Sequence, residues 1–135
     1  DFKQIWEFLA KTPELQSGGG IETYNKQWLN AVLTHKKENL TLIAEDDEGF
    51  EGFLIAHYLN SVRQTILNDL FVIPEARRKG VAAKLVKECE RILRKRGHRY
   101  FTADVLPNNV KMQKFMEKLG FKHGNKFYYY EKLMR

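Results

Sequence analysis

The chain has 135 residues, which is the size of one ordinary domain. Its hydrophobic fraction of 43% allows a buried core, and no apolar stretch approaches the ~20 residues of a membrane-spanning helix. The N-terminal residues do not have the basic start and apolar run of a secretory signal. The single Cys89 excludes an internal disulfide framework and a multi-cysteine zinc site. We therefore expect a cytoplasmic domain without membrane contact and without a metal.

The positive charge is concentrated in one segment. The chain carries 23 Lys and Arg residues against 17 Asp and Glu residues, a net charge of +6. Residues 77–99 contain ten of the basic residues and two acidic ones, Glu88 and Glu90. One basic segment in an otherwise slightly acidic chain indicates an anionic ligand at that place. Few aromatic residues accompany the basic ones and no nucleic-acid motif is present, so we expect no nucleic-acid partner.

The first third of the chain predicts two helices and a hairpin. Apolar residues recur at helical spacing around Ile5 and Trp6, and again from Ile21 to Val32, with the glycine loop Gly18–Gly20 between them. Strands are predicted over 40–44 and 52–59. The acidic turn that joins them is expected to be solvated.

The rest of the chain alternates between strands and helices. A third strand spans about 65–73, and a long helix runs from Gly80 to Gly97 with Cys89 on its apolar face as a core residue. A fourth strand over 100–106, a short helix after Asn109 and a tyrosine-rich strand over 127–133 follow. This order predicts a mixed α/β domain with a predominantly antiparallel early sheet.

The segment that joins the third strand to the long helix is the most informative. The first turn of a helix has unpaired amide hydrogens and the positive end of the helix dipole, so it attracts phosphate. Gly80 and Ala82 keep side-chain bulk away from that turn, and Arg77, Arg78 and Lys79 add charge. The segment is neither a Walker loop nor a dinucleotide fingerprint. Taken alone, it is compatible with a tight basic turn or with an anion site.

Two motifs together point to a known family. The pattern Arg77-x-x-Gly80-x-Ala82, after a strand ending in Val-x-Pro, resembles the acyl-CoA pyrophosphate loop of the GNAT N-acetyltransferase superfamily. Residues 109–121 resemble the second signature of that family, an Asn-led helix that ends in Leu-Gly-Phe. The resemblance implies a single GNAT acetyltransferase domain over residues 1–135. It implies the acyl-CoA N-acyltransferase fold, with a mixed, mostly antiparallel twisted sheet flanked by helices.

The resemblance also implies where acetyl-CoA binds. In this family the strand before the phosphate loop splays from its neighbour and admits the pantetheine arm. The Val72 amide would then donate to the thioester oxygen, and the amides from Arg78 to Ala83 would hold the pyrophosphate. For Asn109 and Phe115 the alternatives are a helix cap and core packing. The cofactor-binding residues implied are Leu70, Phe71, Val72, Arg77, Arg78, Lys79, Gly80, Val81, Ala82, Ala83, Asn109 and Phe115.

The implied reaction is direct attack of a primary amine on acetyl-CoA in a ternary complex, without a metal. The amine would belong to a small molecule, a protein lysine or an amino terminus. Asp69 is the candidate base, with a structural hydrogen-bonding role as its alternative. Many relatives have a tyrosine acid directly after the Phe115 position, where this chain has Met116. The alternative function is a non-catalytic domain that binds or senses acyl-CoA.

Two expectations concern the edges of the sheet. Family members usually begin with a strand before the first helix, whereas this chain opens with the helix, so we expect that first strand to be absent. The tyrosines of the last predicted strand, Tyr128, Tyr129 and Tyr130, would reach the site, pack within the sheet or form a dimer edge. A homodimer through this C-terminal strand is therefore one prediction.

Overall fold

The computed structural model describes residues 2–11 and 26–134, which form helices and strands in the order expected up to residue 118. The predicted loop Gly18–Gly20 and the beginning of the second predicted helix, from Ile21, lie outside these residues. The helices are α1 (Phe2–Lys11), α2 (Lys26–Thr34), α3 (Val81–Arg96) and α4 (Val110–Lys118). The strands are β1 (Asn39–Asp46), β2 (Gly49–Leu59), β3 (Gln64–Val72) and β4 (Tyr100–Ala103).

The described strands form one sheet in the order β1-β2-β3-β4. The pairs β1–β2 and β2–β3 are antiparallel, and β3–β4 is parallel, which confirms the predicted mixed, mostly antiparallel sheet. The parallel pair requires a crossover, and α3 supplies it. The β1–β2 turn is exposed as expected, and its Asp46 Oδ1 accepts hydrogen bonds from the amides of Glu48 and Gly49 at 2.8 and 3.0 Å.

Helices cover both faces of the sheet, so β2 is buried on both sides. Residues 53–56 of β2 are fully buried. Leu54 and Ala56 belong to the core beneath α3 and α4, whereas Phe53 and Ile55 pack with Ile5 of α1 and Leu29 of α2. Because successive side chains of a strand point to opposite faces, this run without polar residues fills two cores at once.

The end of the chain differs from the prediction. Residues 121–134 have no regular secondary structure, so the strand predicted over 127–133 is wrong. Phe127, Tyr128, Tyr129 and Tyr130 are 77–90% exposed. The β-propensity of aromatic residues depends on packing against a neighbouring strand, and here these side chains lie outside the sheet. Strand β4 is also shorter than predicted and ends at Ala103.

The long helix matches its prediction closely. It begins after Gly80 and ends at Gly97, and both glycines are left-handed, with φ of 76° and 78°. Cys89 is fully buried on its apolar face, as expected of a small core residue. None of the helices in residues 2–11 and 26–134 combines the length and apolar character needed to cross a membrane.

Candidate functional site

Strands β3 and β4 separate part-way along the sheet. Their parallel register runs from Gln64↔Tyr100 to Leu67↔Ala103, whereas β3 continues to Val72 and stays paired with β2. The edge of residues 68–72 that faces away from β2 therefore opens onto a gap, because the chain leaves the sheet after β4. A gap in this place is what the family resemblance implied.

The hydrogen bonds at the end of β3 determine which main-chain groups face the gap. The amide of Ile73 donates to the Glu51 carbonyl at 2.9 Å, on the β2 side. The carbonyl of Val72 belongs to the same peptide group and points the opposite way, toward the gap. In an extended strand the N–H and the carbonyl of one residue point to the same side, so the Val72 N–H also faces the gap. The predicted oxyanion donor therefore has the orientation that its role requires.

A β-bulge interrupts β3 beside Asp69. The register with β2 shifts between Ile55, which opposes Asp69, and Ala56, which opposes Leu67. The bulge shifts the side chains that follow it to the other face of the sheet, since Leu67 belongs to the core beneath α3 whereas Phe71 packs with α1 and α2. Asn68 is exposed and Asp69 is buried, with 4% of its surface accessible. Directly opposed residues share a face of the sheet. Asp69 therefore lies on the same face as Ile55, the one covered by α1 and α2.

The loop before α3 contains two left-handed residues, Arg78 with φ of 67° and Gly80 with φ of 76°. Positive φ is uncommon for a residue other than glycine. Gly80 caps α3 without a side-chain hydrogen bond, and the first turn contains no acidic residue. The amides of Val81, Ala82 and Ala83 have no acceptor within the helix. The loop thus presents amide hydrogens and positive charge together, as phosphate binding requires.

The three basic residues of this loop differ in their contacts. Arg77, Arg78 and Lys79 are all exposed. The Arg77 side chain folds back onto β3, where its Nε donates to the Val72 carbonyl at 3.1 Å. Its guanidinium carbon lies 5.8 Å from the centroid of the Phe71 ring, within the range of a cation–π contact. From the sequence, Arg77 is expected only to add charge near the phosphate.

The start of α4 contains the two residues that the family resemblance assigns to the other wall of the site. Asn109 caps the helix, because its Oδ1 accepts a hydrogen bond from the Met112 amide at 3.1 Å. Phe115 is half-buried and packs against the core beneath α3. Met116 is 6% exposed and belongs to that same core. The cap and packing roles named as alternatives are therefore both present.

Sequence reasoning missed a close approach at Gly52. This residue opposes Val72, and a side chain there would overlap the Phe71 carbonyl oxygen and lie 3.1 Å from the Val72 Cα. Strand β2 can approach the end of β3 this closely only because residue 52 is glycine. A glycine inside a strand pattern is the signal that would have indicated such a contact.

Ion pairs along α3 reduce the basic charge of residues 77–99. Arg91 pairs with Glu88 through Nη2–Oε1 at 2.5 Å and Nε–Oε2 at 2.9 Å, and these hydrogen bonds lower the pKa of the Glu88 carboxyl. Arg94 contacts Glu90 at 3.3 Å. All four side chains are at least partly exposed, so the pairs contribute little to stability. The excess of basic residues still leaves this part of the molecule positive.

The comparison with known proteins decides the family. The model of the acetyltransferase (GNAT) family matches residues 2–121. The chain belongs to the GNAT acetyltransferase family. An uncharacterised N-acetyltransferase of Bacillus subtilis is 30% identical over 133 residues, which are 96% of this chain and 84% of the relative.

Solved structures of aminoglycoside acetyltransferases share the fold. An aminoglycoside antibiotic 6′-N-acetyltransferase from Acinetobacter baumannii has a TM-score of 0.75 and 25% identity, with 99% of this chain and 95% of that chain covered. An aminoglycoside N-acetyltransferase in complex with CoA has a TM-score of 0.69 and 27% identity, covering 78% and 84% of the two chains. The predicted superfamily, the fold class, the enzyme class (acetyl-CoA-dependent N-acetyltransferases) and acetyl-CoA as the co-substrate of that class are thereby confirmed.

Proposed function

We propose that this protein transfers the acetyl group of acetyl-CoA to a primary amine by direct attack in a ternary complex. The pantetheine arm lies along residues 70–72, in the gap between β3 and β4, and the diphosphate rests on the amides from Arg78 to Ala83. The observation that carries the proposal is the end of the β3–β4 register at Leu67↔Ala103. It leaves the open edge of β3 leading directly to the first turn of α3.

The chemistry needs little more than this geometry. The neutral amine nitrogen attacks the thioester carbonyl carbon, and the Val72 N–H donates to the oxygen on which negative charge develops. The C–S bond then breaks, CoA leaves as a thiolate, and the product amide loses the proton that the amine brought. Because the two substrates are held side by side, much of the acceleration comes from proximity.

Asp69 is our candidate for the group that removes the amine proton. It is buried on the face of the sheet covered by α1 and α2. It lies beside the bulge, three residues before Val72 in β3. A carboxylate in this place can accept the proton directly or through a water. The variant Asp69→Asn keeps the shape of the side chain and removes its basicity, so turnover should fall while acetyl-CoA affinity persists.

The CoA thiolate can leave without a proton donor at position 116, where this chain has Met116. A thiol with a pKa of ~8.5 is a tolerable leaving group near neutral pH, so protonation can follow from water. The buried, non-donating Met116 is also the observation that favours the alternative, a domain that binds or senses acyl-CoA without catalysis. The assay described below separates the two.

For the acceptor we propose a small molecule with a primary amine, and aminoglycosides are the first class to test. The support comes from relatives. An aminoglycoside N(6′)-acetyltransferase of Acinetobacter haemolyticus is 26% identical over 128 residues, which cover 83% of this chain and 88% of that protein. A protein lysine or amino terminus is the other acceptor class to include.

We also propose that a second copy of the chain covers the exposed aromatic segment Phe127–Tyr130. Four consecutive aromatic side chains that are 77–90% exposed form an unusual apolar surface for a monomer. The high β-propensity of aromatic residues suits addition to a strand edge. The dimer predicted from the sequence thus remains our proposal, through a segment without regular secondary structure rather than a strand of the same sheet.

The decisive experiment measures thiol release from acetyl-CoA with a panel of amines that includes aminoglycosides, small polyamines and a lysine peptide. We expect turnover with at least one amine, abolished when the amine is N-acetylated in advance. Calorimetry with acetyl-CoA alone serves as the control for folding. Tight acetyl-CoA binding without turnover on any amine would contradict the enzymatic proposal and favour the sensing domain.

A further inference from the structure

We propose that Arg77 is a positioning residue that fixes the last peptide groups of β3, and not a ligand of the cofactor diphosphate. This inference rests on the proposed function, since it concerns how the Val72 amide is held for the thioester. Its direct basis is the pair of contacts that the Arg77 side chain makes with β3, one to the Val72 carbonyl and one to the Phe71 ring.

The end of β3 needs such a support. Residues 68–72 have their β2 neighbour on one side, with the Ile73 amide bonded to Glu51 and the close approach at Gly52. On the other side the register with β4 has already ended at Leu67. The Arg77 Nε supplies a hydrogen bond on that open side, where β4 would have supplied one had the sheet continued.

The two contacts of Arg77 restrain both peptide groups that flank Val72. The hydrogen bond restrains the Val72–Ile73 peptide, and the guanidinium over the Phe71 ring restrains the residue that begins the Phe71–Val72 peptide. The peptide group between Phe71 and Val72 carries the Val72 N–H, which is the proposed oxyanion donor. A carbonyl oxygen has two lone pairs, so the Val72 carbonyl can keep its bond to Arg77 while it accepts from a pantetheine amide.

Charge for the diphosphate is available without Arg77. Arg78 and Lys79 are exposed in the same loop, and the unpaired amide hydrogens of the first turn of α3 point along the helix axis toward that loop. Arg77 is thus the basic residue of the three whose side chain the structure ties to the strand, and its role should depend on the Nε–H donor more than on the charge.

Two substitutions separate the donor from the charge. In Arg77→Gln the amide nitrogen is bonded to Cδ, as Nε is in arginine, so an N–H donor stays in reach of Val72 and the charge is lost. In Arg77→Lys the charge is kept, but a methylene replaces Nε. For a positioning role we expect Arg77→Lys to lower kcat about tenfold with the KM for acetyl-CoA changed less than threefold. We expect Arg77→Gln to restore most of kcat.

A shortened donor adds a second comparison. S-acetylpantetheine ends before the diphosphate, so a phosphate contact cannot affect its use. A positioning residue should cause the same fold loss of kcat with S-acetylpantetheine as with acetyl-CoA. If instead Arg77→Lys behaves as the wild type, while Arg77→Gln raises the KM for acetyl-CoA and has no effect with S-acetylpantetheine, Arg77 binds phosphate and the proposal is wrong.

Amide hydrogen exchange in the ligand-free protein tests the positioning independently of catalysis. We expect peptides covering residues 70–77 to exchange at least fivefold faster in Arg77→Lys than in the wild type, with Arg77→Gln close to the wild type. Arg94→Gln, which removes one charge from the exposed side of α3, should leave this exchange unchanged. Failure of the wild type to acetylate any amine would refute the proposed function alone. Unchanged exchange in Arg77→Lys would refute the positioning role whatever the activity.

Discussion

At the scale of single residues, the two glycines that bracket α3 offer a matched test of the diphosphate site. Gly80 and Gly97 have nearly the same left-handed geometry, with φ of 76° and 78° and ψ of 16° and 14°. A Cβ at either position meets no atom within 4 Å. The strain of a side chain in this conformation, about 1–2 kcal/mol, should therefore be the same in Gly80→Ala and Gly97→Ala.

The two variants should differ only in ligand binding. The Cβ of Gly80→Ala stands where the diphosphate would approach the amides, so we expect acetyl-CoA affinity to fall at least tenfold. Gly97→Ala should bind acetyl-CoA as the wild type does. Calorimetry measures the affinities, and urea unfolding measures the shared loss of stability. Equal affinities in the two variants would contradict the placement of the diphosphate at Gly80.

Cys89 is predicted to be an inert core residue. Burial raises the pKa of its thiol from 9.0 to about 12, and the thiolate is the reactive form. Labelling by Ellman's reagent at pH 8 should therefore be at least a hundredfold slower in the native protein than in urea. Because the folded pKa is the higher one, the folded state holds the proton more tightly, and the free energy of unfolding should fall as pH rises from about 9 toward 12. Rapid labelling of the native protein would contradict this.

At the scale of elements, local sequence signals account for most of what could be predicted. The glycine boundaries and the apolar stripe of α3 predict this helix. The apolar runs on either side of an acidic turn predict the two strands of the β1–β2 hairpin. The bulge at Asp69 and the fold-back of Arg77 depend on contacts with neighbouring strands. No periodicity within β3 reveals them. The tyrosine-rich segment gave a wrong strand prediction, because a high β-propensity produces a strand only where a neighbouring strand is available for packing.

The pairing of β2 with β3 yields a prediction at Gly52. In Gly52→Ala the new methyl group overlaps the Phe71 carbonyl oxygen, so one strand must shift. Overpacking of this kind costs about 1–3 kcal/mol. We expect a loss of about 2 kcal/mol of unfolding free energy in urea. Acetyl-CoA affinity should fall as well, because the displaced residues Phe71 and Val72 line the gap.

The control for Gly52→Ala is Gly124→Ala. A Cβ at Gly124 has no neighbour within 4 Å, so this variant should match the wild type in both stability and affinity. A Gly52→Ala protein with unchanged stability would show that the strands can part without cost. One with lowered stability but unchanged affinity would show that the end of β3 does not line the cofactor site.

At the scale of the whole molecule, the proposed cofactor site follows from local sequence more directly than the acceptor side does. The proposed cofactor site consists of consecutive residues, namely a strand end, a loop and the first turn of a helix, so one stretch of sequence contains the groups that would bind the cofactor. The face that α1 and α2 cover, where we propose that the acceptor amine meets Asp69, is assembled from residues far apart in the chain. Ile55 and Asp69 are opposed only through the register of β2 with β3, and Ile5 reaches the same face only through the packing of α1.

The proposed dimer is the prediction that concerns the whole molecule. If a second copy covers residues 127–130, removing two of the four rings should weaken association, because each buried tyrosine contributes about 1.5–3 kcal/mol of apolar burial. We expect the wild type to sediment as a dimer at micromolar concentration, and Tyr128→Ser/Tyr130→Ser to raise the dissociation constant at least tenfold.

Val62→Ser removes another exposed apolar side chain, 64% accessible in the turn before β3, and should leave the dimer intact. A wild type that sediments as a monomer at every concentration would refute the dimer and leave the acetyltransferase proposal untouched, since all the residues placed in the cofactor site belong to one chain.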